Sequence, residues 1–166
     1  MSINHSRPFT VGLYGIGLDT YWPQFPGLYE RLQGYQQAIA ERISREHPQI
    51  KLINTGIVDN PERARQIGTR LAREQVDMVL LYISTYALSS TVLPVVQQVK
   101  APVIVLSLQP TARIDYAAFN ALADRGVMTG EWLAYCQACS APEIASVFNR
   151  SHIDYHLVAG TLEDQA

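Results

Sequence analysis

Apolar and polar positions change rhythm repeatedly along this chain. Residues 9–14 mix β-branched and aromatic side chains and run into glycines, the pattern of a buried strand that ends in a tight turn. From Leu28 the apolar positions Leu32, Tyr35, Ile39 and Ile43 recur at steps of three and four. They predict an amphipathic helix, closed at His47-Pro48 because the residue before a proline avoids helical angles. Residues 50–57 read as a second strand, and Asp59-Asn60-Pro61 places a capping side chain ahead of a proline at the first helical position. Ala64, Ile67 and Leu71 form the inner face of the helix that follows. The run Met78-Val79-Leu80-Leu81 within 76–83 is too short for a helix and does not alternate, as expected of a central strand covered on both sides. Leu88, Val92, Val95 and Val99 mark a third helix, 102–106 a fourth strand and 155–159 a fifth. The long interval between the last two strands predicts helices over 115–123 and 130–150, the second kinked or broken at Pro142.

Strand and helix alternate throughout, so a parallel sheet with helices on both faces is the natural packing. The expected fold is α/β, a three-layer flavodoxin-like (Rossmann-like) domain with a five-stranded parallel sheet of order 2-1-3-4-5. That order is preferred to the dinucleotide-binding one because five strands suffice and the first loop lacks the phosphate fingerprint. At 166 residues and 48% hydrophobic, the chain fits a single domain over 1–166 with a substantial core.

A net charge of -2, with thirteen Lys and Arg scattered rather than striped, argues against nucleic acid as a partner. The first ten residues hold one Arg and no long apolar run, and no later segment reaches the roughly 18 apolar residues that span a bilayer. A soluble, cytoplasmic protein with no membrane partner and two reduced thiols is expected.

The loop after the first strand is the most unusual stretch. It spends Tyr21, Trp22 and Phe25, two prolines and Asp19 on what is usually a short polar connection. These rings must be packed or left partly wet, at the sheet end where an α/β fold binds its ligands. Gly15 and Gly17 begin a G-x-G-x-x-G pattern, but Thr20 takes the place of its last glycine, and turn geometry explains these glycines better than a dinucleotide does. Cys136-Gln-Ala-Cys139 is a C-x-x-C; the helix-forming residues 131–135 ahead of it predict that both thiols sit inside a helix, as packing groups rather than redox groups. An enzyme complete in this chain and acting through Cys136 or Cys139 is a third-ranked alternative. His152 and His156 are four apart, but in an extended segment they stand about 13 Å from one another, too far to share a metal. No nucleophile elbow, P-loop or catalytic triad is present, so no catalytic and no metal-ligating residue is assigned.

What remains is a ring of polar and aromatic residues at predicted strand ends: Asp19, Tyr21 and Trp22; Tyr82, Ser84, Thr85 and Tyr86; Gln109; Glu131 and Gln137. Aromatic faces cover the C–H side of a sugar while amides, hydroxyls and a carboxylate bond its hydroxyls, which makes a polyol the expected ligand class. Ordinary packing and burial against another subunit are weighed evenly against it.

Three stretches, 11–27, 106–110 and 129–145, resemble the amino-terminal domain of the L-arabinose/L-fucose isomerase family, particularly its arabinose isomerase-like branch, and the similarity covers nearly the whole chain. The resemblance implies an aldose–ketose isomerase that moves hydrogen between adjacent sugar carbons through an enediol, with Mn2+ polarising the oxygens and carboxylates moving protons. In that family the metal ligands lie in later domains, so no cofactor is expected in this chain and the isolated domain is expected to be inactive. The domain is expected to complete the sugar pocket of a neighbouring subunit in a homo-oligomer. Asp19, Tyr21, Trp22, Thr85, Gln109 and Gln137 are then the expected substrate-binding residues. Tyr21 and Gln137 match family positions, whereas Asp19, Thr20, Ser140 and Glu143 depart from the arabinose isomerase pattern and leave the sugar open. A stand-alone sugar-binding or sensor domain is the alternative.

Overall fold

The computed structural model describes residues 7–163; the expectations for 1–6 and 164–166 lie outside the described residues. Five strands, β1 (Thr10–Ile16), β2 (Lys51–Val58), β3 (Met78–Tyr82), β4 (Val103–Gln109) and β5 (Tyr155–Thr161), form one sheet of order β2-β1-β3-β4-β5. Every pairing is parallel, as the alternation of elements predicts. β1 is buried at all seven residues because helices cover it on both faces.

Helix α1 (Leu28–Glu46) lays Ile39 and Ala40 on Val11, Leu13, Leu80 and Tyr82. On the opposite face α2 (Pro61–Arg73), α3 (Ser89–Gln98) and α6 (Gln137–Arg150) pack Leu71, Val95 and Phe148 against Tyr14, Leu81 and Val105. The chain therefore leaves β1 toward one face and β3 toward the other, which puts the topological switch point between the carboxyl ends of these two strands. Coverage is uneven. Ile104, Leu106 and Leu108 on the α1 side of β4 are only half-buried, while Leu157 and Val158 of β5 are 49% and 46% exposed.

The expected cap at Asn60 is present: its Oδ1 accepts the Arg63 N–H at 2.8 Å, and Pro61 opens α2. Asn60→Ala should cost about 1 kcal/mol, and Asn60→Gly only a few tenths, in urea unfolding of the chain. Equal losses for the two would show that the side-chain bond contributes nothing.

A bulge in β2 departs from the plain strand expected there. Leu13 lies opposite Asn54 but Gly15 lies opposite Ile57, so β2 fits in one extra residue, and Gly56 absorbs it at φ 77°. Beyond the bulge both Ile57 and Val58 are buried, and the Val58 carbonyl accepts the Gly17 N–H of the β1 loop.

The interval between β4 and β5 corrects the expected helix over 130–150. It holds α4 (Tyr116–Asn120), capped by Asp115, then α5 (Arg125–Leu133), capped by Asp124, then α6. The break falls at 134–136, not at Pro142, which lies inside α6. Proline deprives one carbonyl of its donor, and a helix secured on both sides tolerates that loss; side-chain bonds from Thr85 and Gln137 hold the chain open at 134–136 instead. β4 runs three residues past its expected end because Ser107, Leu108 and Gln109 continue the ladder with Ala159, Gly160 and Thr161.

Candidate functional site

Three segments meet at the carboxyl end of the sheet: the β1–α1 loop, the residues after β3, and the α5–α6 junction. Main-chain bonds dock the first segment on the end of β2, from Gly17 N–H to the Val58 carbonyl (3.0 Å) and from Asp19 N–H to the Asp59 carbonyl (3.2 Å). A short 3-10 turn, Asp19–Tyr21, follows. The Trp22 indole N–H donates to Asp59 Oδ2 at 2.8 Å, and its ring lies so close over Gly17 that a β-carbon there would come within 2.7 Å of it. Gly17 is thus required by ring packing, not by a phosphate. Edge-on contacts tie Tyr21 to Trp22 (6.2 Å between centroids) and to Phe25 (6.1 Å), and Trp22 to Tyr29 (5.1 Å). The patch rests on Leu28, Leu32, Ile57, Leu133 and Cys136, and Tyr21, Trp22 and Phe25 each keep part of their surface in water. The rings are both packed and partly wet.

The switch point itself is filled by the chain's own α5–α6 junction. Ser84 Oγ donates to the Ile16 carbonyl, Thr85 Oγ1 to the Leu133 carbonyl (2.7 Å), and Ser140 Oγ to the Thr85 carbonyl (3.2 Å). Gln137 Nε2 bridges the Ser84 carbonyl (2.9 Å) and the Ala134 carbonyl (2.8 Å). Ser84, Thr85, Gln137 and Ser140 are all fully buried. Since a buried carbonyl without a donor is costly, these bonds explain why the helix opens here. The Tyr82 hydroxyl faces the Gln137 carboxamide without closing a hydrogen bond, and both the hydroxyl and Gln137 Oε1 lack a partner. Burial holds the Tyr82 pKa above the ordinary tyrosine value, and the Gln137 carboxamide opposes that shift.

Around this plug lie groups that water can reach. Burial raises the Tyr21 pKa, as do its neighbours Cys136 and Tyr86, so the Tyr21 phenol stays protonated and available as a donor. Tyr86 donates to Glu143 Oε2 at 3.0 Å, which raises its pKa as well, and Glu143 Oε1 takes the Ser89 N–H at 3.1 Å. On the other side Arg31 joins α1 to α5. It donates to the Tyr35 hydroxyl (2.7 Å), to Glu131 Oε2 (2.6 Å) and to the Tyr135 hydroxyl (3.2 Å), with its guanidinium 5.2 Å from the Tyr135 ring centre. Burial works to lower the Arg31 pKa, but the bonds to Glu131 and Tyr35 outweigh it. Next to this network a cavity of about 360 Å³ opens between the β1–α1 loop and α5, walled by Phe25, Pro26, Val127, Arg31, Asp124 and Glu131.

The six expected substrate residues separate on these grounds. Asp19 is exposed and Tyr21 half-buried at the mouth; Trp22 holds the loop to β2 through Asp59. Thr85 and Gln137 are interior, with their donors spent on main-chain carbonyls, so in this form they build the floor beneath Tyr21 rather than face solvent. Gln109 ends β4 opposite Thr161, two strands away from β1. Arg31, Tyr35 and Tyr135 are additions to the expected set. Arg31 and Tyr35 stand four apart on the first helix, a spacing that signals a side-chain pair, but their partners at the end of α5 are about a hundred residues away.

The C-x-x-C also differs from expectation. Cys136 is the residue before the first turn of α6 and Cys139 lies within that turn, so the motif starts the helix instead of sitting inside it. Among the described residues no group of three His, Cys, Asp or Glu lies close enough to hold a metal ion. His156 belongs to β5, while His152 precedes it in a turn at φ 53°. No described helix is long and apolar enough to cross a membrane.

No family model and no curated protein matches the chain. Among solved structures it is similar to a GDSL-like lipase from Bacteroides thetaiotaomicron VPI-5482, with 12% identity and a TM-score of 0.42 over 90% of this chain and 68% of that one. It is also similar to a GDP-L-fucose synthetase from Naegleria fowleri, with 8% identity and a TM-score of 0.41 over 92% of this chain. The chain spans about half, 49%, of the synthetase.

Proposed function

We propose that this chain is the substrate-binding and oligomer-forming amino-terminal domain of a metal-dependent aldose–ketose isomerase of the L-arabinose/L-fucose type, working in the cytoplasm. The observation that carries the reading is that Tyr21 and Tyr86 are neighbours at the switch-point end of the sheet, with Asp19 exposed on the same loop as Tyr21 and with Thr85 and Gln137 buried behind them. A protonated phenol, a carboxylate and aromatic edges suit a polyol. Support for assembly comes from apolar surface left open: Val127 and Trp132 on α5 are 56% and 49% exposed, in addition to Leu157 and Val158. A neighbouring domain or subunit would cover part of this apolar surface. The manganese and the proton-transferring carboxylates are assigned to other segments of the parent enzyme, as the family resemblance implies.

The test is ketose formation from L-arabinose, L-fucose and related aldoses by the protein at its natively encoded length, with and without Mn2+. Activity with at least one aldose is expected, with kcat/KM lowered about tenfold or more by Tyr21→Ala and less by Tyr21→Phe, which keeps the ring. Absence of isomerisation for every aldose, or unchanged kinetics in Tyr21→Ala, removes the reading.

A second reading, a stand-alone sugar-binding or sensor domain, is favoured by the cavity beside Arg31 and Glu131, which this chain walls by itself. Calorimetry separates the two: saturable sugar binding to the 166-residue chain supports the sensor, and silence with an active parent supports the isomerase.

A further inference from the structure

We propose that Cys136 and Cys139 form a reversible intrachain disulfide at the start of α6, made by exchange with a small disulfide in solution. This chemistry does not depend on which small molecule the neighbouring loop binds.

The backbone brings the pair together. Cys136 has φ −87° and ψ 17°, and the Cys139 N–H donates to the Cys136 carbonyl at 3.1 Å, closing a turn across the four residues. Such a turn holds its end Cα atoms within about 7 Å, and a disulfide spans roughly 4.4–6.8 Å between them. Cys139 is also a polar neighbour that acts on the Cys136 thiol. Their environments differ in the way exchange chemistry requires. Cys139 is exposed, whereas Cys136 is 1% exposed behind it. Cys139 lies in the first turn of the fourteen-residue α6, open to solvent. Burial, and then the neighbouring Cys139 sulfur, push the Cys136 thiol up, which leaves the exposed sulfur as the one a small disulfide meets first.

Cys139 as thiolate attacks one sulfur of the small disulfide and expels one small thiolate, leaving a mixed disulfide on Cys139. Cys136 then attacks the Cys139 sulfur; the second small thiol leaves and takes up the proton that Cys136 gives away. Two protein thiols are oxidised and one small disulfide is reduced to two thiols, so the electrons balance. Closure draws the exposed Cys139 toward the buried Cys136, beneath Tyr21.

The chain is incubated with excess glutathione disulfide, quenched in acid, unfolded and treated with an alkylating agent before mass analysis. The expected product is lighter by two hydrogen atoms, takes up no alkyl group, and recovers two alkylation sites after dithiothreitol. Cys139→Ser, a change at an exposed position, should fold as the parent does and slow oxidation of the remaining thiol about tenfold or more. Cys136→Ser should trap the mixed disulfide on Cys139. Should Cys136→Ser fail to fold, the mass of the unsubstituted chain and Cys139→Ser decide the question. A product with two alkylatable thiols, or a glutathione that stays on Cys139 in the unsubstituted chain, overturns the proposal.

Discussion

Phe148→Ala should lower the stability of this chain by about 3–5 kcal/mol, the range for emptying a fully buried aromatic site. Phe148 is completely buried on α6, and its ring meets Tyr155 of β5 edge-on at 5.5 Å between centroids. Its carbonyl also takes the Ile153 N–H at 3.0 Å, which turns the chain from α6 into the last strand. Among the described strands β5 pairs with β4 alone and exposes Leu157 and Val158, so the Phe148–Tyr155 contact is what ties α6 to this strand. For a chain of this size the change corresponds to a fall in Tm of roughly 6–20 °C. Phe148→Leu, which keeps most of the volume, should cost about 1–2 kcal/mol. Urea unfolding of the three proteins checks both values. A loss below about 1 kcal/mol for the alanine variant would mean that α6 does not support β5.

Most of the sheet was legible because its signals are local. Strands buried on both faces read as unbroken apolar runs, and the stripe Leu28, Leu32, Ile39 and the Asn60-Pro61 cap marked helices within a few residues of where they stand. Features set by distant partners were not legible. The break at 134–136 depends on Thr85 and Gln137 bonding across about fifty residues, and without it the C-x-x-C reads as the middle of a helix. The Gly56 bulge depends on the register of β2 against β1. For the candidate site, residue type identified Asp19, Tyr21 and Trp22 as loop groups at the right end of the sheet. Type alone does not distinguish a glutamine that bonds a ligand from one that bonds two main-chain carbonyls, and Gln137 is placed as the second kind. Gln36 on α1 shows the same ambiguity. It is buried on the inner stripe among apolar neighbours, with its Nε2 donating to Asn54 Oδ1 at 2.6 Å.

Gln137→Leu should cost about 2–3 kcal/mol. It strands the Ser84 and Ala134 carbonyls, at about 1–3 kcal/mol each, partly offset by removing the unpartnered Oε1. Gln137→Glu makes a sharper test, because its sign with pH is opposite to that of most carboxylates. At position 137 the side chain would face two carbonyl oxygens in a buried site, so only the protonated acid, donating to one of them, is tolerated. Its folded pKa would therefore lie above the unfolded value of about 4.3. The folded state then holds more protons than the unfolded one, and stability is highest below the unfolded pKa and falls as pH rises through that value toward the folded one. Gln137→Glu should accordingly unfold in less urea at about pH 7 than at about pH 4.5, relative to the parent chain at the same two pH values. If Gln137 were instead a solvent-facing ligand contact, the glutamate would ionise freely, its stability difference from the parent would not depend on pH, and only sugar affinity would change. The direction of that pH dependence decides whether Gln137 holds up the floor of the site or lines it.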